Sequence, residues 1–307
     1  MNRNSLMIGS LCALGCEILY GMSYVFTKQA TQSASALSLL GWRFVLAFVV
    51  MSILVIIGVI KVDLKGKSIR PLLLVALFSP VIYFIGETVG ISNTTASESG
   101  VFLACIPVAA LIASTLILKK RPSKLQIIGI LITLTGVLVT VFAVGATSSF
   151  SIVGYASLLM AVVSYALYCV FVDKADSYSG MEITYMMLAA GAIVFSVLAL
   201  GEAFMNGNAG HLLTLPFKET GFMVAVIYQG IGCSVFAFFL SNVAIAKIGV
   251  NRTSSFIGVA TVVSIVAGVL LLHENLSIGQ IIGAVVIIIG VYTANAKKPA
   301  QQTECNV

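Results

Sequence analysis

The sequence predicts an all-α membrane protein in which ten transmembrane helices form an inverted 5+5 repeat. Three observations lead to this prediction: very few charges, apolar stretches of bilayer length, and motifs that recur in both halves. Hydrophobic residues make up 59% of the 307 residues, and charged residues make up 9%. A soluble domain carries roughly 25% charged residues, so lipid must be the solvent for most of this surface.

Each predicted span is an apolar stretch close to the roughly 20 residues that a helix needs to cross a bilayer. The connections between spans are rich in Pro, Gly, Asn, Ser and charged residues, as in 61–71, 119–124 and 206–221. The predicted spans are 6–27, 36–60, 71–92, 97–118, 125–143, 153–172, 182–204, 221–244, 253–272 and 277–295.

The loop lysines and arginines predict the orientation of the chain in the membrane. They cluster in the connections 61–70 and 119–124, which lie on one side of the predicted bundle, whereas Lys28 and Lys218 lie on the other. Cytoplasmic loops carry the excess of Lys and Arg. Both termini are therefore expected in the cytoplasm, with the chain in the cytoplasmic (inner) membrane and 297–307 as a disordered cytoplasmic tail. Because the net charge of +6 sits in these loops, nucleic acid is not an expected partner.

The two halves of the chain resemble each other in sequence. Ser123–Gly129 reads SKLQIIG and Ser277–Gly283 reads SIGQIIG, and at the same offset Gly136 recurs as Gly290. Because each half holds five spans, an odd number, the second copy enters the membrane from the opposite side. The predicted repeats are 1–148 and 149–296.

An inverted repeat has a mechanical consequence. Transporters with this symmetry place their substrate site near the bilayer midplane and alternate between openings on opposite sides. An enzyme or scaffold has no particular need of the arrangement, so the repeat favours a transporter.

The order of several short motifs then resembles the drug/metabolite transporter superfamily, in its ten-helix EamA-type branch, over nearly the whole chain. The resemblance implies a central cavity lined by spans 1–4 and 6–9, with spans 5 and 10 peripheral. It also implies export of amino acids or metabolites, or exchange of nucleotide-sugars, without selecting among them. The motifs are Tyr20-Gly21, Arg43-Phe44, Thr95–Ser99 with Pro107, Leu272–Ser277, Gln280–Gly283 and Gly290-Val291.

Three charged residues lie well within predicted spans, where each costs roughly 2.5–3.5 kcal/mol on insertion scales. Glu17 is a candidate to bind a substrate ammonium or carry a coupling proton; alternatively, hydroxyls or Arg43 hold it as a buried structural group. Arg43 and Glu87 are predicted at matching depth, which suits a structural ion pair. Alternatively, the planar fork of Arg43 receives a substrate carboxylate.

Hydroxyl groups on the same helix faces complete the predicted substrate-binding or proton-coupling site. On spans 6 and 8, bonds to the helices' own backbone carbonyls are the competing interpretation. The hydroxyl candidates are Tyr20, Tyr24, Tyr83, Ser164, Tyr168 and Ser241.

The sequence predicts no catalytic residues, cofactor or metal site. The glycines Gly129, Gly136, Gly283 and Gly290 indicate close helix contact, within the chain or in a homodimer. The expected function is secondary transport of a small polar or zwitterionic metabolite, an amino acid or a derivative, out of the cell across the cytoplasmic membrane by alternating access. An organic cation or amine transporter is the alternative within the class. A membrane-embedded enzyme or a non-transporting partner subunit is the competing class.

Overall fold

Helices dominate the part of the chain that the computed structural model describes, and no strand occurs there. In lipid, a backbone N–H or C=O finds no water, so a spanning segment must satisfy its own backbone groups within a helix. The described residues are 3–31, 33–93, 102–103, 105–143, 151–272 and 277–296.

Within the described residues the helices form the segments labelled α1–α10, and a short unnumbered helix, Ala209–Lys218, connects α7 to α8. Their bounds are α1 Arg3–Ala30, α2 Ala36–Ile56, α3 Arg70–Ala76 with Leu77–Ile82 and Tyr83–Ser92, α4 Ile106–Ile117, α5 Lys124–Ala143, α6 Ile152–Lys174, α7 Gly180–Met205, α8 Thr220–Ile227 with Tyr228–Ala237 and Phe238–Ile248, α9 Val250–Ser255 with Gly258–Leu272, and α10 Ile278–Asn295.

Nine of these segments are long and apolar enough to cross a bilayer within the described ranges, and the described part of α4 is a shorter apolar helix of 12 residues. The bundle exposes large apolar side chains on its outside, such as Ile193 at 68% and Leu116 at 72%. An apolar surface of this extent suits acyl chains and not water. The protein is therefore a polytopic membrane protein.

Several predicted boundaries differ from the structure by a few residues; the span predicted over 221–244, for example, continues to Ile248. The predicted span 36–60 ends at Ile56, because Gly58 takes a left-handed conformation with φ of 79° that turns the chain. The connection predicted over 206–221 contains the helix Ala209–Lys218. That helix is short and amphipathic, and it buries Leu212 and Leu215 against the bundle.

The helices of α3 and α8 are interrupted near their middles. In α3, Ser79 has non-helical φ and ψ of −143° and 122° before Pro80, which has no N–H to donate. In α8, Tyr228–Ala237 widens into π-type turns. Interruptions of this kind free backbone groups and change which side chains share a helix face.

The first five helices pair crosswise with the last five. The first helix packs against α8 and α9, and α6 packs against α3 and α4 in the same way. The second and seventh helices pack against each other, as do α5 and α10. The two halves therefore form one interleaved bundle, in which polar groups on α1, α2, α6 and α8 reach a shared interior.

Hydrogen bonds connect the two halves at the end of the bundle that carries the most basic loops. The helices α2, α4, α6 and α8 terminate there. The Glu182 carboxylate accepts from Lys67 Nζ at 2.9 Å and from the Asp63 backbone N–H at 3.2 Å. Lys120 donates to Asp173 at 2.5 Å. At this end, the basic end, the α2–α3 connection contacts the first turn of α7, and Lys120 of the α4–α5 connection contacts the last turn of α6.

The glycines of α5 and α10 allow their backbones to meet within one chain. A Cβ on Gly136 would lie 2.7 Å from the Ile287 nitrogen and 2.8 Å from the Gly283 oxygen. These are backbone atoms of the facing helix, so a methyl group there would push the two helices apart. The predicted close helix contact is thus an intramolecular one in this structure.

We expect Gly136→Ala to destabilise the protein by about 1–3 kcal/mol through overpacking. The matched control is Gly201→Ala, because a Cβ on Gly201 meets nothing within 4 Å. At an open helical position, replacing Gly by Ala is favourable by up to about 1 kcal/mol. Thermal unfolding in detergent should show a lower midpoint for the first variant only. Equal midpoints would contradict the contact.

Candidate functional site

The interior between the two halves contains several buried polar side chains. Glu17 and Arg43 are each only 5% exposed. Gln229, Ser234 and Ser241 of α8 are buried beside them. Because polar groups in an apolar interior cost free energy unless they are hydrogen-bonded, each of these residues needs a partner or a function.

Arg43 is held by neutral groups. Its Nε donates to Ser234 Oγ at 2.7 Å, and its Nη1 donates to Gln229 Oε1 at 3.2 Å. The rings of Phe84 and Phe44 lie 4.8 Å and 5.3 Å from its Cζ atom. The third nitrogen, Nη2, is buried and has no hydrogen-bond partner.

Glu87 does not neutralise Arg43, which corrects one of the two interpretations of this pair. Among the described residues no carboxylate oxygen lies within 4.0 Å of the Arg43 guanidinium. Glu87 instead accepts a hydrogen bond from Tyr83 at 2.8 Å, one turn before it on α3. It remains within electrostatic reach of Arg43 without forming an ion pair.

Glu17 on α1 is the second buried charged candidate. Among the side chains that the structure describes, none donates a hydrogen bond to its carboxylate, neither a neighbouring hydroxyl nor Arg43. The rings of Tyr165 and Tyr168 lie within electrostatic reach of Glu17. The interpretation of Glu17 as a structural carboxylate held by internal donors therefore finds no donor here.

Aromatic rings connect the polar candidates into one cluster. The ring of Tyr165 lies 5.4 Å from that of Tyr83 and 5.4 Å from that of Tyr168. Tyr83 also contacts Phe84 at 5.0 Å, edge to face. Tyr20 lies within electrostatic reach of both Arg43 and Tyr168. The interior is therefore an aromatic-walled region with one cation and two carboxylates.

Tyr168 belongs to a closed hydrogen-bond network at the α6–α8 contact. Its hydroxyl donates to Asn242 Oδ1 at 2.8 Å and lies 3.2 Å from Ser241 Oγ. The amide of Asn242 donates to Thr184 on α7 at 3.0 Å. These groups satisfy one another, so Tyr168 and Ser241 join three helices in this conformation.

The structure brings together seven of the nine predicted site residues, since each contacts or lies within electrostatic reach of another. Ser164 is buried on α6 one turn before Tyr168 and has no such contact. The side chain of Tyr24 lies outside the described part of the structure. The seven are Glu17, Tyr20, Arg43, Tyr83, Glu87, Tyr168 and Ser241.

Gln229 is the important residue that the sequence reading missed. It is an amide in the middle of an apolar span, only 2% exposed, and it contacts Arg43 directly. The signal was present in the sequence, because an amide in hydrocarbon needs a partner just as a charge does. The predicted site included only charged residues and hydroxyls, and therefore not Gln229.

Two stretches, residues 7–142 and 152–296, match the EamA-like transporter family. The chain belongs to the EamA-like transporter family. The resemblance carried by Tyr20-Gly21 and Arg43-Phe44 is therefore confirmed, and with it membership of the drug/metabolite transporter superfamily.

Relatives within the EamA-like family span most of the chain. It is 31% identical over 287 residues to the uncharacterized transporter YcxC of Bacillus subtilis (strain 168), covering 93% of this chain and 92% of the relative. It is 22% identical over 281 residues to an uncharacterized transporter of Archaeoglobus fulgidus, covering 91% and 95%. These relatives are named as transporters, so this EamA-like chain is a multi-pass membrane transporter and not an enzyme.

A solved crystal structure has the same fold as this EamA-like chain. It superposes with a TM-score of 0.75 at 18% sequence identity, over 96% of this chain and 99% of the other. At this identity the likeness shows the fold and carries nothing about substrate.

We expect Tyr168→Phe to lower the stability of the protein by about 1–3 kcal/mol, because Asn242 loses a donor in a buried site. Tyr292→Phe is the matched control, since Tyr292 is 78% exposed on the outer surface of α10. The measurement is the midpoint of thermal unfolding of each variant. An unchanged midpoint for Tyr168→Phe would contradict the network.

Proposed function

We propose that this protein is a secondary transporter that moves a small polar or zwitterionic metabolite, an amino acid or a derivative, out of the cell by alternating access. The observation that carries the substrate class is the buried guanidinium of Arg43, which has an unused Nη2 and no carboxylate partner in the part of the chain that the structure describes. Glu17 supplies a buried carboxylate in the same interior. A zwitterionic ligand offers a carboxylate to Arg43 and an ammonium group to Glu17.

The pairing of helices supports an inverted repeat of residues 1–148 and 149–296, with ten crossings in total. A twofold axis in the membrane plane would relate α1 to α6, and α2 to α7, which pack against each other. The same axis would relate the interrupted middle of α3 to that of α8. The two separate stretches that match the family correspond closely to the two repeats.

In this proposal the basic end faces the cytoplasm, because cytoplasmic loops carry the excess of Lys and Arg. The loops at that end carry Lys67 and Lys120, which agrees with cytoplasmic N- and C-termini in the inner membrane. The contacts of Glu182 and Asp173 hold this end closed. At the opposite end a polar cavity lies between the α1–α2 connection, the end of α7 and the helix Ala209–Lys218, beside Glu202 and His211.

A second candidate is a transporter of organic cations or amines. The absence of an internal donor to Glu17 among the described side chains favours this reading. In that case Glu17 and Glu87 bind the cation, and Arg43 has a structural role. The two candidates share Glu17 and differ in whether Arg43 contacts the substrate.

Under either candidate, we expect Glu17→Gln to abolish transport, since the change keeps the shape of the side chain and removes its charge. Glu219→Gln makes the same chemical change at an exposed position after the helix Ala209–Lys218, and it should leave transport intact. Efflux of labelled amino acids and amines from cells that express each variant at equal levels provides the measurement. Wild-type efflux in Glu17→Gln would refute the proposal for Glu17.

A further inference from the structure

We propose that Gln229, together with Ser234, is a positioning residue that keeps Arg43 charged, fixed and unneutralised, so that its free edge binds the carboxylate of the substrate. The inference rests on the proposed function and deepens it, because it assigns the choice between zwitterions and amines to one neutral amide. Three features of the contact between α2 and α8 support it.

The first feature is the set of hydrogen bonds that the Arg43 guanidinium makes. A guanidinium presents five N–H donors in a planar fork. Neutral oxygens occupy Nε and one donor of Nη1, and aromatic rings lie near the group. The donors of Nη2 have no partner although the side chain is only 5% exposed. A buried cation with an unused donor, and with no carboxylate oxygen within 4.0 Å among the described residues, is suited to an oxyanion supplied by a ligand.

The second feature is that Gln229 is itself held in one orientation. Its Nε2 donates to Thr27 Oγ1 at 2.9 Å, and the Thr27 hydroxyl donates to the Ser23 carbonyl. With the amide nitrogen directed at α1, the amide oxygen is the atom that faces Arg43. The residue therefore links α1, α8 and α2 through a single side chain.

The third feature is the backbone of α8. Residues five apart on an α-helix point about 140° away from each other, so Gln229 and Ser234 would not both face α2. Both lie in the stretch Tyr228–Ala237, where i to i+5 bonding brings residues five apart onto one side. A Cβ on Gly230 would lie 3.1 Å from the Arg43 carbonyl oxygen, so α8 also approaches α2 closely here.

A glutamate at position 229 would have nearly the same shape as the native glutamine and would present a carboxylate to Arg43. It would neutralise the guanidinium from within the protein, and the substrate carboxylate would lose its partner. The neutrality of Gln229 thus has a chemical consequence: the residue accepts a hydrogen bond from Arg43 without competing for its charge.

The test compares Gln229→Glu with Gln280→Glu in purified full-length protein. Gln280 closes the capping box at the start of α10, where a glutamate serves equally well. Thermal unfolding is recorded without ligand and with leucine, phenylalanine or lysine, each beside the amine that lacks its carboxylate: isopentylamine, phenethylamine or cadaverine. Binding constants come from the dependence of the midpoint on ligand concentration.

We expect Gln229→Glu to unfold at a higher temperature than wild type in the absence of ligand, because Arg43 gains a counter-ion. We also expect it to bind the amino acids about tenfold more weakly or worse, with amine binding unchanged. Gln280→Glu should match wild type in both respects. Unchanged ligand-free stability together with unchanged amino-acid binding would overturn the inference.

The two proposals fail in different ways. If no amino acid stabilises the wild type, the proposed substrate class is wrong, and the ligand-free stability of Gln229→Glu alone decides whether position 229 controls the charge of Arg43. If Gln229→Glu does not fold, Gln229→Met replaces it. Loss of the amide oxygen should then weaken amino-acid binding while amine binding is retained, and equal losses for both ligands would show a merely structural role.

Discussion

The burial of one arginine between α2 and α8 is the constraint around which the interior of this protein is organised. A guanidinium inside a bilayer-spanning bundle must keep its hydrogen bonds, because its desolvation would otherwise be too costly. Here a serine, an amide and two phenyl rings supply its contacts, and none of them carries a negative charge. The widened turns of α8, the link from Gln229 to Thr27 and the close approach at Gly230 all serve this arrangement.

Outside this interior, the α5–α10 pair is held by backbone contacts, whereas the basic end is held by side-chain contacts. The α5–α10 pair meets through glycines, backbone to backbone, and leaves little freedom to slide. The basic end is held by side chains instead, through Glu182 with Lys67 and Asp173 with Lys120. In both contacts the lysine is the more exposed partner, and the carboxylate is buried or nearly so. Under the proposed alternating access, the α5–α10 pair would stay fixed while the side-chain contacts at the basic end break.

Much of the fold could be predicted from the sequence, because the bilayer restricts the solutions. Low charge and apolar stretches of fixed length predicted the membrane class and most helix positions. The order of short motifs such as Tyr20-Gly21 and Arg43-Phe44 predicted which family the chain belongs to. The helix Ala209–Lys218 was missed because short amphipathic helices lack the length signal of a span. The boundary at Ile56 depends on the conformation of Gly58, which no hydropathy pattern reveals.

The candidate site was predicted less completely. Charges within spans pointed to Glu17, Arg43 and Glu87, because charge in lipid always requires an explanation. Pairing between them could not be deduced, since depth along two helices does not say which faces meet. Gln229 was omitted because the prediction weighed only charged groups and hydroxyls. Its contact with Arg43 beside Ser234 depends on the widened turns of α8, which helical periodicity does not predict.

The most direct measurement of the central claim is transport by the purified full-length chain in liposomes. Uptake of a labelled mixture of amino acids is followed in competition with the matching amines and with the matching acids that lack the amino group. Our account predicts that at least one amino acid is transported and that neither the amine nor the acid alone competes well, because Glu17 and Arg43 each require their own group. Transport of amines with exclusion of amino acids would contradict the account and leave Arg43 with a structural role.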